Sequence, residues 1–366
     1  MSEAKKTPYY DKHIEAGARI AEFAGYLMPI QYKSINSEHL KVRNSVGMFD
    51  LSHMGEFRVS GNNAIDFLQK MTVNDVSELA KNQVHYTCMC YPTGGIVDDL
   101  LIYNRGDHYL MVVNAACLEK DFEWLKDHLE GAVKLENLSD QTGLLAIQGP
   151  NAEKVLSNMT DYNLSELAFY WSDETEIAGE KVLFSRTGYT GEDGFEIYHR
   201  PEIADKLWEA ALDAGKELEI EPIGLGARDS LRMEMKYMLY GNDIDSTTNP
   251  VEAGLSWIVK LDKGDFIGKD AIAEVKENKP DRKLICFELE NKGIPRHGYN
   301  IYSEGNDVGY VSSGTYSPVL EKGIGLGYVP RNRSKSGREI EIEIRGKRLP
   351  ATIVKPPFYK DGSLKK

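Results

Sequence analysis

The chain has 366 residues, 41% of them hydrophobic and 28% charged, which is typical of a folded globular protein with two or three domains. Its formal net charge of −13 argues against nonspecific binding to nucleic acid or to an anionic membrane, because both need a basic surface. The N-terminal run MSEAKKTPYYDKH lacks the apolar core of a signal peptide and the character of a transit peptide, and no run reaches the length of a membrane span, so we expect a cytoplasmic protein.

Two strand-and-helix segments recur along the chain. Residues 57–68 (FRVSGNNAIDFL) align with residues 145–156 (LAIQGPNAEKVL), and each pattern predicts a strand, a glycine turn and a helix. A second pair follows in the same order, since the strands predicted at 109–114 and 194–198 each precede a helical pattern. Any two strand–helix units share some likeness, but the preserved order favours duplication of a β-α-β-β-α-β unit. We therefore predict two related ferredoxin-like α+β modules.

Cys88 and Cys90 form a C-x-C pair inside an apolar run. At the two-residue period of a strand, both thiols lie on one face. The four cysteines suggest neither a zinc site nor a disulfide framework, and buried free thiols in a reducing compartment are the favoured interpretation.

The run GGIVDDLLIY (94–103) predicts a strand that begins after a glycine turn, yet it carries Asp98 and Asp99 side by side. A strand directs adjacent side chains to opposite faces. For Asp98, a structural role is as well supported as a functional one, since an aspartate at a turn can accept backbone hydrogen bonds. Asp99 precedes three aliphatic residues, and an unpaired carboxylate there is costly, so it requires either a partner or a function.

The run SRTGYTGEDGFE (185–196) spaces three glycines as G-x-x-G-x-x-G, which suits a compact loop that lies close to another group. Glu196 follows this loop, in the next predicted strand.

A helix is predicted over residues 226–241, with an apolar stripe of Leu231, Met235 and Met238. Arg228 lies on the same face as this stripe. A buried guanidinium needs a carboxylate partner, either from the protein or from a ligand. Two simpler alternatives remain open at this point: Arg228 reaches past the helix end to solvent, or it pairs with Glu196.

From about Arg282 the chain changes to short alternating runs separated by Gly, Pro, Asn and Ser, such as KLICFELE, GIGLGYVP and EIEIEIRG. This pattern predicts a small all-β C-terminal domain.

Common cofactor and metal signatures are missing from the sequence. GLGARD (224–229) has Asp229 where a dinucleotide fingerprint needs its third glycine, and no G-x-x-x-x-G-K-[ST] or G-x-S-x-G run occurs. The eight histidines lack the spacing of a metal site, and His53 is interpreted as structural. No metal site is predicted.

Several runs, in the same order along the chain, carry a resemblance to one family: GMFDLSHMGEF (47–57), GGIVDDLLIY, MVVNAACLEKDFEWL (111–125), LLAIQGPNA (144–152), SRTGYTGEDGFE, GLGARDSLRMEMKYMLYG (224–241), TNPVEAGLSWIVK (248–260) and PFYKDG (357–362). In these runs the sequence closely resembles the T-proteins, or aminomethyltransferases, of the glycine cleavage system, and the resemblance runs from end to end.

The resemblance implies an α+β fold in a three-domain, cloverleaf-like arrangement around a central hole that holds tetrahydrofolate. It implies a first α+β folate-binding module at 1–48 and 140–281, a second α+β module with the catalytic aspartate at 49–139, and a β-barrel domain at 282–366. The implied reaction moves the one-carbon unit of the aminomethyl-dihydrolipoyl H-protein to tetrahydrofolate and releases ammonia. Such a reaction needs proton transfer and stabilisation of a cationic, iminium-like species.

By this resemblance Asp99 is the catalytic carboxylate, Asp98 is a structural neighbour, and Glu196 and Arg228 bind the folate. Other cavity-lining positions match Met54, Tyr86, Tyr103, Asn114, Tyr170 and Tyr237. In two places the sequence departs from the family pattern. Phe169 stands where some members have tyrosine and so lacks one hydroxyl. Lys365 and Lys366 stand where some members have arginine, and a lysine cannot supply the bidentate contact that an arginine makes with the folate glutamate.

Two other functions belong to relatives of the same fold. Folate-dependent demethylases of methylated amines usually carry an attached flavin domain, which this sequence lacks. Folate-binding iron–sulfur assembly factors have a K-G-C-Y-x-G-Q-E loop, whereas residues 186–193 read RTGYTGED.

Overall fold

The N-terminal segment forms a small sheet and two helices. The computed structural model describes residues 4–364, so the Lys365–Lys366 tail lies outside the described residues. The elements of this segment are β1 (Lys5–Lys6), α1 (Tyr10–Glu15), β2 (Arg19–Phe23), β3 (Tyr26–Gln31), α2 (Ile35–Asn44) and β4 (Gly47–Asp50). Strands β1, β3 and β2 form the small sheet in that order, and the Ser34 hydroxyl caps α2 by accepting a hydrogen bond from the Ser37 N–H.

A five-stranded antiparallel sheet with two helices follows. Its elements are β5 (Gly55–Ser60), α3 (Ala64–Met71), β6 (Val84–Cys90), β7 (Ile96–Asn104), β8 (His108–Val113), α4 (Leu118–Asp127) and β9 (Lys134–Asn137). The strands lie in the order β6-β7-β8-β5-β9. Without the edge strand β6, this is the order of a ferredoxin-like sheet.

The chain then returns to build a six-stranded sheet. The elements are β10 (Gly143–Gln148), α5 (Ala152–Ser157), β11 (Ser172–Ile177), β12 (Glu180–Ser185), β13 (Gly194–His199), α6 (Ala204–Ala214), β14 (Glu221–Pro222), α7 (Leu225–Glu234) and α8 (Lys269–Asn278). The strand order is β11-β12-β13-β10-β4-β14, so β4 inserts between β10 and β14. Strand β4 spans Gly47–Asp50 and so crosses the boundary expected after residue 48, and its Asp50 pairs with Leu145.

The two sheets repeat the same order of elements. Strands β5 and β10, and the helices α3 and α5 that follow them, begin at equivalent positions of the alignment between residues 57–68 and 145–156. The intervening glycines, Gly61 and Gly149, have φ angles of +107° and +134°. A Cβ at these positions would lie 2.1 Å from the Ala132 carbonyl oxygen and 2.4 Å from that of Ser45. Both turns therefore require glycine.

The helix predicted over 226–241 is shorter than expected, because α7 ends at Glu234. Lys236 has a φ of +58°, and the Tyr237 N–H donates back to the Arg232 carbonyl over 3.0 Å. Met235 is the cap residue and Met238 lies beyond the helix, so neither extends the predicted stripe. Arg228 and Leu231 remain on α7.

The C-terminal region closes into a six-stranded barrel, which confirms the prediction of a β domain there. Its strands are β15 (Arg282–Leu289), β16 (Asn300–Ser303), β17 (Asn306–Ser317), β18 (Lys322–Pro330), β19 (Glu339–Ile344) and β20 (Lys347–Val354), paired in the order β15-β18-β17-β16-β19-β20. Buried Phe287, Val311 and Ile342 are part of its core. Within residues 4–364, no helix is both long and apolar enough to cross a membrane.

The turn glycines provide a test of the fold. We expect Gly149→Ala to lower the free energy of unfolding by about 3 kcal/mol or more, because it combines a strained φ with a clash against backbone. Gly298→Ala is the matched control, since its φ is +81° but a Cβ there meets nothing within 4 Å. The control should lose only about 1–2 kcal/mol in urea denaturation, and equal losses would contradict the proposed clash.

Candidate active site

Asp99 lies in β7, between β6 and β8, and is 9% exposed. The Tyr86 hydroxyl on β6 donates to Asp99 Oδ2 over 2.8 Å, and Asn114 Nδ2, just after β8, donates to Asp99 Oδ1 over 2.9 Å. Asp98 is fully buried and accepts hydrogen bonds from the Asn114 N–H (3.1 Å) and Nδ2 (2.9 Å). Both adjacent carboxylates therefore have partners, and Asn114 contacts each of them.

The pKa of Asp99 is raised to about 7. Burial is the largest cause, and the nearby Asp98 carboxylate adds to it. The hydrogen bonds from Tyr86 and Asn114 act in the opposite direction, because they favour the ionised form. A carboxyl that titrates near neutrality can both accept and return a proton at physiological pH.

Glu196 lies in β13, buried opposite Ser185 of β12. Its Oε2 accepts a hydrogen bond from the Thr187 hydroxyl. Burial raises the pKa of Glu196, whereas the Thr187 hydrogen bond and the positive charge of Arg228 lower it. Glu196 is thus a second buried acid, held by the glycine-rich loop.

Arg228 on α7 has its guanidinium carbon 4.6 Å from the centroid of the Tyr189 ring. Within residues 4–364 it forms no ion pair with a carboxylate, so the direct pairing with Glu196 considered from the sequence does not occur. Burial lowers the pKa of Arg228, and the charge of Glu196 acts against this at longer range. Its guanidinium fork is free for a ligand.

The predicted aromatic positions lie near these groups. The Tyr103 hydroxyl is 2.7 Å from that of Tyr198, and half-buried Tyr237 stacks on Tyr189 with ring centroids 5.6 Å apart. Met54 and Tyr170 pack on the apolar cluster that contains Tyr103.

Tyr170 connects the predicted residues of the two sheets. Burial raises its pKa, and Tyr237, Tyr103, Glu196 and Asp99 each add to the effect. Asp99 and Arg228 likewise both act on the pKa of Tyr189. The five-stranded sheet, the six-stranded sheet and α7 therefore contribute to one region. Phe169, where some relatives have tyrosine, packs its ring edge-on against Tyr170 at 4.6 Å.

Sequence reasoning did not single out Thr187, Tyr189 and Trp257. Thr187 and Tyr189 lie inside the glycine-rich loop. The glycine spacing predicts that this loop lies close to another group, but it does not predict which side chains make the contact. Trp257 is 65% exposed and stacks on Tyr86 with centroids 6.0 Å apart. No periodic pattern marks an exposed tryptophan as part of a site.

Two structural interpretations from the sequence agree with the geometry. His53 is buried and burial lowers its pKa to about 4, so it is neutral at physiological pH. The four cysteines are free and buried.

Two similar α+β units followed by a closed β-barrel define a class of three-domain proteins. Comparisons with known sequences identify the family. Residues 9–263 match the family described as "GCVT N-terminal domain", and residues 282–360 match the "Glycine cleavage T-protein C-terminal barrel domain". The chain belongs to the glycine cleavage T-protein family.

Individual relatives match nearly the whole chain. An aminomethyltransferase from Geobacillus sp. (strain WCH70) is 51% identical over 359 residues, covering 97% of this chain and 99% of that protein. An aminomethyltransferase from Bacillus subtilis (strain 168) is 48% identical with the same coverage. The crystal structure of glycine cleavage system aminomethyltransferase T from Bartonella henselae has a TM-score of 0.93 at 33% identity, covering 99% of this chain and all of that one.

The hydrogen bond from Tyr86 predicts a measurable effect on Asp99. Since this bond favours the ionised carboxylate, Tyr86→Phe should raise the pKa of Asp99 above its wild-type value of about 7. The titration can be followed by NMR with ¹³C-labelled aspartate. Tyr103→Phe is the control, because the Tyr103 hydroxyl bonds Tyr198 and leaves Asp99 untouched. An unchanged or lowered pKa in Tyr86→Phe would contradict the assigned contact.

Proposed function

We propose that this chain is the aminomethyltransferase of a glycine cleavage system, acting in the cytoplasm on tetrahydrofolate and the lipoylated H-protein. The observation that carries this proposal is the buried Asp99, which titrates near neutrality beside aromatic side chains from both α+β units. Family membership supports the same reaction, because near-full-length aminomethyltransferases share about half of its residues.

The chemistry explains why such an acid is needed. The carbon–sulfur bond of the aminomethyl-dihydrolipoyl arm and the carbon–nitrogen bond to the departing ammonia both break. Two new carbon–nitrogen bonds form to tetrahydrofolate, whose two nitrogens each lose a hydrogen. One hydrogen completes the thiol and the other completes ammonia, so no electrons are gained or lost overall.

Asp99 is proposed to serve this exchange in two ways. Its ionised form stabilises the positive charge that develops on the one-carbon unit when a bond to carbon breaks. Because its pKa is about 7, Asp99 can take up a proton from one nitrogen at physiological pH and return it. Tyr86 and Asn114 fix both carboxylate oxygens, which limits the reorganisation needed during transfer.

The neighbouring residues fit a folate. Glu196 is a buried acceptor for the N–H groups of a pterin, while the unpaired guanidinium of Arg228 suits a carboxylate or carbonyl oxygen. Tyr170 and Tyr237 are partly exposed and offer flat faces to aromatic rings, whereas Tyr103 is completely buried and supports the site through its contact with Tyr198. Met54 adds an apolar contact next to Tyr170.

The two alternative functions have less support. The RTGYTGED loop at 186–193 lacks the cysteine typical of the iron–sulfur assembly factors, and Thr187 within it binds Glu196 instead. The relatives matched over nearly their full length are described as aminomethyltransferases, which favours the transferase over the demethylases.

The proposed reaction is tested by calorimetric titration with tetrahydrofolate, followed by addition of aminomethylated H-protein to the same protein. We expect saturable folate binding, and ammonia release that depends on both substrates. Binding without ammonia release would favour the assembly-factor or demethylase functions. No binding would remove the assigned roles of Glu196 and Arg228.

The role of Asp99 has its own test. We expect Asp99→Asn to lower kcat by about 100-fold or more while the Kd for tetrahydrofolate stays within about tenfold, because the charge acts mainly in the transition state. Asp107→Asn, at an exposed acid paired with His108, is the control and should keep wild-type turnover. Near-normal turnover of Asp99→Asn would reject the assignment.

A further inference from the structure

A third buried acid, Asp121 of α4, lies behind the two carboxylates of β7. It is completely buried, and its carboxylate, the Asp98 carboxylate and the Cys117 sulfur offer atoms that all lie within 4.8 Å of one another. Neither oxygen of Asp121 receives a hydrogen bond from a donor within residues 4–364. Asp98, in contrast, accepts hydrogen bonds from Asn114 on both of its oxygens.

The charge balance around Asp121 is incomplete if it is ionised. Lys120 is the nearest cation, with its Nζ 3.4 Å from Asp121 Oδ1. That ammonium also donates to the Val97 carbonyl and lies 4.0 Å from the centroid of the Tyr240 ring. One cation therefore faces two fully buried carboxylates, Asp98 and Asp121, and like charges at this distance cannot both remain ionised at low cost.

We propose that Asp121 is a neutral carboxylic acid whose O–H donates to Asp98, and that it acts as a positioning residue for Asp99. A shared proton gives one Asp121 oxygen a hydrogen-bond partner, while the Lys120 ammonium lies 3.4 Å from Oδ1, and the pair keeps a single negative charge. Asp98 is then held between the acid of Asp121 and the amide of Asn114. Since Asn114 also donates to Asp99, the order of contacts runs from Asp121 through Asp98 and Asn114 to Asp99.

The surrounding titratable groups agree with this assignment. Burial and the Asp98 charge raise the pKa of Asp121 to about 10, and Lys120 acts against them. Cys117, on the same segment as Asp121, has its thiol pKa raised by burial and by both aspartates, so it stays protonated at neutral pH. On the far side of Lys120, burial raises the pKa of Tyr240 to about 12, and it too stays neutral.

A bound divalent metal is a different way to neutralise the cluster, but the contacts favour the proton. The Lys120 ammonium lies 3.4 Å from Asp121 Oδ1, where its positive charge would repel a divalent cation. The Cys117 thiol would also have to lose its proton to become a ligand.

The shared proton is tested on the purified protein without any substrate. At pH 8, wild type should show the infrared C=O band of a protonated carboxyl that Asp121→Asn removes. Glu56 provides the matched control, because it is buried, its oxygens also lack hydrogen-bond partners within the described part of the chain, and burial raises its pKa well above normal. Glu56→Gln should remove a separate band. Absence of a band assignable to Asp121 would overturn the proposal, and metal retained through dialysis against EDTA would do the same.

The positioning role rests on the proposed function, so it is measured separately by turnover. Asp121→Leu cannot donate to Asp98 and should lower kcat about tenfold, with KM for tetrahydrofolate within about threefold and the acid limb of the kcat–pH profile displaced. Asp121→Asn keeps a donor and should restore kcat to within about threefold of wild type. Equal losses in both variants would show that the Asp121 charge matters instead, and would reject the neutral acid.

The two readouts separate the possible failures. If Asp121→Leu does not fold, the infrared band and the activity of Asp121→Asn still decide the question. If wild type releases no ammonia, the proposed function is rejected. The shared proton is then decided by the infrared result alone.

Discussion

Two adjacent carboxylates in a buried strand are the constraint around which the site is arranged. Removing two like charges from water is costly, and hydrogen-bond donors to both carboxylates offset part of this cost. Asn114 supplies donors to both acids, and Tyr86 supplies one more to Asp99. Because the compensation is incomplete, the pKa of Asp99 remains near neutrality, and this incompleteness is what makes Asp99 chemically useful.

Other buried charges in the core are compensated by ion pairs with arginine. Arg232 on α7 pairs with buried Asp243 over 2.5 Å, and buried Arg43 pairs with Glu234 over 2.8 Å. These guanidiniums are fully engaged and connect α7 to the adjacent loop and helix. Arg228, on the same helix, has no such partner among the described residues 4–364. The contrast between paired and unpaired arginines separates residues that hold the fold together from one that is available to a ligand.

Much of the fold was predictable from local pattern. The repeat of strand, glycine turn and helix predicted both α+β units, and alternation predicted the barrel strands. The end of α7 was not predictable, because it depends on Lys236 adopting a positive φ beside the Arg232 contacts. The end of β4 has no local signal for a similar reason, since the pairing of Asp50 with Leu145 is set by a strand far along the chain.

Some residues of the candidate site were likewise predictable from the sequence, and others were not. Asp99 stood out from the sequence because a charge in an apolar strand is unusual, whereas Tyr189 and Trp257 have no local signal and depend on tertiary contacts. The position of β4 has one further consequence, which concerns synthesis on the ribosome. β4 emerges early, but its partners β10 and β14 lie beyond the whole five-stranded unit. That unit therefore has all its strands available first, and the sheet that surrounds it in sequence closes last.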